Sequence, residues 1–191
     1  MFELKPDMVL DQDIHRGISI LAKLRDSDLP FEIRSYDDKR SMLKALKEAK
    51  DAGKSVLVDC GGFDSDITRA VVAVADLIIV PAADTPTERI GLSLFDNTLE
   101  EVGRDLGIDV TAYLLVCKTH PNKKRFPKLD AVLSNTKHIR RLDSVLGHRP
   151  DHYESHEFGL GVTERISTRH TAAAKEIIAL ANEIRELTSF Y

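Results

Sequence analysis

The stretch "AGKSVLVDCGGFD", Ala52 to Asp64, decides how this chain reads. It opens on Gly53-Lys54-Ser55, the last three residues of the phosphate-loop pattern G-x-x-x-x-G-K-[ST]. That pattern needs a glycine five positions before Gly53, where this chain has Glu48. It also needs a strand before the loop and a helix after it, so that the helix amino terminus meets the phosphate. Here the order is reversed. Met42, Leu43, Leu46 and Ala49 form a helical stripe upstream, and the apolar run "SVLVDC" follows. Gly53 therefore reads as a helix stop, Lys54 as a solvated side chain, and "SVLVDC" as a strand buried on both faces.

The same alternation extends outward. "DMVLDQD" contains a short strand over Met8 to Leu10 that ends in acidic residues. Ile18, Leu21 and Leu24 recur at helical spacing, and "FEIRSY" alternates as a strand does. Ile67 to Val74 predicts a helix and "DLIIVPA" a buried strand. Ile90, Leu94 and Val102 predict a helix that stops near Gly103 or Gly107, and "DVTAYLLVC" a further strand. Phe126, Leu129, Val132 and Leu133 mark a helix, "RLDSVLG" a short strand or turn, and Ala173 to Leu187 a closing amphipathic helix. Strands alternating with helices predict an α/β fold, a mostly parallel sheet with helices on both faces, as one domain over residues 1–191.

Hydrophobic residues make up 42% of the 191 and charged residues 30%, as in ordinary globular chains. No apolar run approaches the ~20 residues that span a bilayer, and the N-terminus lacks the pattern of a secretory signal. The two cysteines, Cys60 and Cys117, sit in or beside apolar runs and read as reduced, buried thiols, with a bridge between them as the alternative; a bacterial-type cytoplasm is the expected compartment. The net charge of -4 is unevenly spread. Lys118 to Arg149 holds nine Lys/Arg against two Asp/Glu, whereas the rest holds 18 against 29. Within that basic segment Lys123, Lys124, Arg125, Arg140 and Arg141 are candidates for a salt-sensitive, sequence-independent DNA contact; a plainly solvated basic face is the alternative.

In open α/β sheets, ligands bind beyond the carboxyl ends of the strands. Asp11 and Asp13, Asp59, and Asp84 all follow apolar runs there. Asp59 before Cys60-Gly61-Gly62 suits a hydrated Mg²⁺ beside a phosphate; a cap on the next turn or helix, with plain turn glycines, is the alternative. His152 and His156 lie four apart, but the acid between them is Glu154, so this is not H-E-x-x-H, and exposed polar histidines are expected.

Taken in order, these pieces resemble the ParA/MinD-type partition ATPases. "VLDQDIHRGIS" is similar to their strand and D-x-D-P-Q-G-S stretch. "SVLVDCGGFDSDITRAVVAVADLIIVPAADTPTE" resembles their Walker B strand, the next helix and a strand ending in V-P. "HEFGLGVTE" with the closing helix resembles their C-terminal end. The resemblance implies a P-loop NTPase-like fold, ATP and Mg²⁺ as cofactors, dimerisation, non-specific DNA binding, and a ParB-like DNA-bound partner in plasmid or chromosome segregation. By position it implies that Asp13 orients the attacking water, with Asp11 beside it. Asp59 would hold Mg²⁺ through water, Gly62 would belong to a switch loop, and Lys118 would lie near the base.

The sequence departs from that family in three places. Its K-G-G-x-G-K-[ST] loop would precede the D-x-D strand, but Met1 stands only a few residues before that strand, so the first β-loop-α unit is missing here. Ile14-His15 replaces Pro-Gln, and Cys60-Gly61-Gly62 replaces Thr-Pro-Pro. Without the loop's lysine and backbone donors, phosphoryl transfer loses its main electrostatic stabilisation. The expectation is a partition protein impaired in ATP hydrolysis, or a non-enzymatic adaptor for DNA or a partner. Apolar sheet surface is expected to drive association.

Overall fold

The computed structural model describes residues 3–62 and 64–188; Phe63 of the opening stretch lies outside them. In chain order the elements are β1 Met8–Gln12, α1 Gly17–Lys23, β2 Glu32–Arg34, α2 Lys39–Asp51, β3 Val56–Cys60, α3 Asp66–Val72, β4 Ile78–Ala82, α4 Pro86–Leu106, β5 Ala112–Thr119, α5 Pro127–Leu133, β6 Ile139–Gly147, α6 Pro150–His156 and α7 Ala172–Thr188. Every strand pairing is parallel, as the helical connections between successive strands require. The α/β class expected from the alternation is what the structure shows. The strands form two sheets of three, ordered β2-β1-β3 and β4-β5-β6.

The chain divides into two compact units. One comprises Met1–Val71 with Asp151–Arg169, and the other Val72–Pro150 with His170–Tyr191. In the first, Met8 and Leu10 of β1 pack with Met42 and Ala49 of α2 and with Val56, Val58 and Ile67. Met8, Val9, Leu10 and Asp11 are all buried in succession, so both faces of β1 are covered. The second unit is built on Leu114 and Val116 of β5, Leu99 of α4, and Phe126 and Leu129 around the start of α5. β3 and β4 are edge strands among the described residues, and their apolar residues Val56 to Val58 and Ile78 to Val80 are only half-buried.

The burial expected for "SVLVDC" on both faces, and for "DLIIVPA", is corrected by these edge positions, where one side of each strand lacks a paired neighbour among the described residues. The buried face of α4 also differs from the expected one. α4 forms over the expected stretch and ends at Gly107, whose φ of 66° suits glycine. Its buried stripe, however, runs through Leu92, Leu99 and Val102. Ile90 and Leu94 are 64% and 63% exposed. At about 100° per residue, positions two before and two after Leu92 fall on the opposite face. Of the two readings open for "RLDSVLG", the strand holds: it lies within the nine-residue strand β6, which pairs along β5.

Candidate functional site

β1 and β3 run in register, with Asp11 opposite Asp59. Paired positions on neighbouring strands point to the same side of a sheet, so two carboxylates stand together near the carboxyl ends of the strands. Asp11 is fully buried. Ser19 donates to its Oδ2 twice, from the backbone N–H at 2.8 Å and from the hydroxyl at 2.6 Å. Its Oδ1 has no hydrogen-bond partner among the described residues. Burial pushes the Asp59 carboxyl above the usual range, and the charges of Asp11 and Asp13 push it further. A buried acceptor left unsatisfied costs about 1–3 kcal/mol, more when charged, so this cluster favours a cation or donor brought by a ligand.

Asp13 completes the acidic end of β1. Its Oδ1 accepts the His15 N–H at 2.7 Å, closing a tight turn. A Cβ on Gly61 would stand 3.2 Å from Asp13 Oδ2, whereas a Cβ on Gly62 would meet nothing within 4 Å. The glycine that makes room for the carboxylate is therefore Gly61, and Gly62 lies exposed beside it. Arg16, at a φ of 50°, donates to the Asp11 carbonyl and lies 3.3 Å from Asp37, tying the end of β1 to the loop before α2. Ser19 and Arg16 stand outside the sequence candidates, and Gly61 is not separated there from Gly62. Only the serine carried a signal, as a hydroxyl just inside the helix that follows D-x-D.

The residues fit a hydrated Mg²⁺. Asp11 offers an unpartnered buried oxygen, Asp59 lies next to it, and both are hard oxygen ligands. Among the described residues no three acidic, histidine or cysteine side chains converge as a direct metal cage. Contact through the ion's own water shell matches that arrangement.

Gly53-Lys54-Ser55 lies where the sequence order placed it. Gly53, at a φ of 67°, donates to Lys50 O at 3.0 Å, and Lys54 N–H reaches back to Ala49 O at 2.9 Å, which is a Schellman stop to α2. The Ser55 amide and hydroxyl both donate to Asp7 Oδ2, at 2.8 and 2.7 Å. These donors secure β3 to the segment before β1.

The second unit holds the remaining candidates. Asp84, after β4, is nearly buried, with Arg89 at 2.6 Å and Lys123 at 2.8 Å. Burial opposes its ionisation, but the hydrogen bonds and charges of Lys123 and Arg89 prevail and hold its carboxyl below the usual range. Lys123 also lies 5.2 Å from the centre of the buried Phe126 ring, and Arg141 5.8 Å. Arg141 is further paired with Asp130 at 3.0 Å. Lys123 and Arg141 thus brace the loop, while Lys124 and Arg125 remain exposed on it without an ion pair among the described residues. Arg140 is exposed on β6, and Lys118, at a φ of 52°, is exposed near the end of β5. His152 and His156 lie on α6.

No protein-family model matches this sequence. No curated protein matches it either. Solved structures do share its fold. A chain of the MinC:MinD cell division protein complex of Aquifex aeolicus aligns with a TM-score of 0.71 at 15% identity, over 97% of this chain and 87% of that one. The MinD cell division protein of Aquifex aeolicus aligns with a TM-score of 0.69 at 14% identity, over 97% and 88%. At such identities the likeness establishes the fold: this chain is folded as MinD is.

Proposed function

We propose that this chain is a ParA-like partition protein, acting in plasmid or chromosome segregation, that hydrolyses ATP poorly as this sequence stands. The observation that carries the reading is the Asp11–Asp59 pair, in register on parallel strands, with one buried oxygen of Asp11 left without a partner. Asp11 and Asp59 would hold the hydrated Mg²⁺ of a bound nucleotide, and Asp13, held by its turn against Gly61, would orient a water. The ion would supply charge neutralisation at the phosphates. The MinD-like fold supports the nucleotide class. The structural role of Gly53-Lys54-Ser55 supports weak hydrolysis, because that stretch supplies no phosphate cradle.

Calorimetry with ATP and Mg²⁺ tests the site. Micromolar binding, abolished in Asp59→Ala, with phosphate release no faster than buffer, is the expected result. Absence of binding at millimolar ATP would overturn it.

The second reading is a non-enzymatic adaptor for DNA or a ParB-like partner. It is favoured by the loop at Lys124 and Arg125, which a buried aromatic and a buried carboxylate hold in place. An adaptor would show a salt-dependent DNA shift with no nucleotide requirement. Dimerisation belongs to both readings.

A further inference from the structure

A cleft of about 430 Å³ opens in the second unit, at the amino ends of its strands and away from the carboxyl-end candidates. Its apolar wall is formed by Val72, Ile78, Ile108 and Val110. Arg140 lines it from β6 and makes no ion pair among the described residues. Tyr113 stands opposite Arg140 in the β5–β6 register, and Thr111 precedes β5, so two hydroxyls border the same space. Asp76 and Asp109 also line it. Val72 and Val110 are 5% exposed, Ile78 is half-buried and Ile108 is 49% exposed, so the wall is dry at the two valines and opens to water at Ile108. The Asp109 side chain, 3.8 Å from His138, is 89% exposed, so the acidic rim is wet.

We infer that this cleft binds a small zwitterionic ligand with apolar side chains, of amino-acid or dipeptide class. The size falls within the range of small-molecule sites, about 300–1,000 Å³, and the lining is mainly polar with an apolar patch. The charges select the class. A simple anion would meet Arg140 but also two carboxylates, and a polyanion such as a nucleotide or nucleic acid would be repelled by them. A simple cation would meet Asp76 and Asp109 but also a guanidinium. A ligand carrying both charges satisfies both, its carboxylate on the planar fork of Arg140 and its ammonium at the acidic rim. Tyr113 and Thr111 add polar lining beside Arg140, and the ligand's side chain covers Val72, Val110 and the exposed Ile108. The inference stands apart from the proposed function, because it uses none of Asp11, Asp13 or Asp59.

Titration of the ¹⁵N-labelled full chain with leucyl-leucine tests it by chemical-shift mapping. Saturable shifts are expected at Ala73, Ile78, Val110 and Tyr113. Affinity should fall at least tenfold for N-acetyl-leucyl-leucine, which lacks the ammonium, and for leucyl-leucinamide, which lacks the carboxylate. Arg140→Gln, a substitution at an exposed position, should weaken leucyl-leucine tenfold or more, and Asp109→Asn should weaken it without affecting the acetylated form. No shift at 20 mM leucyl-leucine would overturn the proposal. Equal binding of either blocked peptide, or an Arg140→Gln variant that binds as the parent does, would overturn it too.

Discussion

Asp59 is under two opposed demands. Its position beside Asp11 suits a cation, and the same crowding holds its carboxyl above the usual range when no ion is present. The folded state therefore keeps a proton that the unfolded chain has already lost, and stability falls as pH rises above the ordinary aspartate value of about 3.9. Asp59→Asn is expected to raise the unfolding free energy at pH 7 by roughly 0.5 kcal/mol after solvent screening, read as a higher urea midpoint, with a smaller gain at pH 4. The same variant should abolish Mg²⁺-nucleotide binding. A midpoint that does not rise would mean the carboxylates are not crowded. The glycines divide just as sharply. A Cβ at Gly159, where φ is 63°, would collide with the Leu21 carbonyl, so Gly159→Ala should cost more than the ~1 kcal/mol of a simple glycine effect, read by denaturant unfolding. Gly62→Ala, which meets open space, should cost little.

Elements here are joined by buried charge as well as by apolar packing. Arg25, just past α1, pairs with Glu164 at 2.8 Å and also donates to the Gly159 carbonyl at 2.9 Å, with both charged side chains largely buried. Removing one partner strands the other, so Glu164→Gln should destabilise by about 3–5 kcal/mol, which thermal unfolding would show. Asp84 joins the loop after β4 to the basic loop before α5 through Lys123. Its lowered carboxyl gives the sign. The contribution is fully present above the ordinary aspartate value and disappears as pH falls through the lower folded-state value. Asp84→Asn should flatten that acid transition. Most elements were legible in sequence, because apolar periodicity and glycine stops act locally. The buried face of α4 was not. Ile90 and Leu94 carry helical spacing as well as Leu92 and Leu99 do, and only packing into the core of the second unit decides between the two faces.

Charge at the scale of the molecule is split, with the basic residues concentrated between Lys118 and Arg149. If that segment meets DNA, Lys124→Ala with Arg125→Ala should weaken binding and reduce the salt slope by about 2, whereas Lys123→Ala should chiefly loosen the loop. Filter binding over a salt series separates these outcomes, and an unchanged slope in the double variant would assign the loop to solvent. The half-buried apolar edge of β3 carries no charge to block strand addition apart from Asp59 at the site, whereas β4 carries the exposed Pro81, which lacks a backbone donor. Leu57→Lys should therefore shift the chain toward monomer in analytical ultracentrifugation, and an unchanged distribution would place the interface elsewhere.

The sequence by itself determined the alternation of strands and helices, the helix stop at Gly53 and the acidic residues at strand ends. These depend on neighbours within a few residues, where pattern and backbone freedom act directly. Tertiary structure alone decided that Asp11 stands beside Asp59, that Lys123 and Arg89 occupy Asp84, and that Gly61, not Gly62, makes room for Asp13. The reason is register. Parallel strands from distant parts of the chain are aligned by the packing of their side chains, and no local pattern encodes which carboxylate will face which.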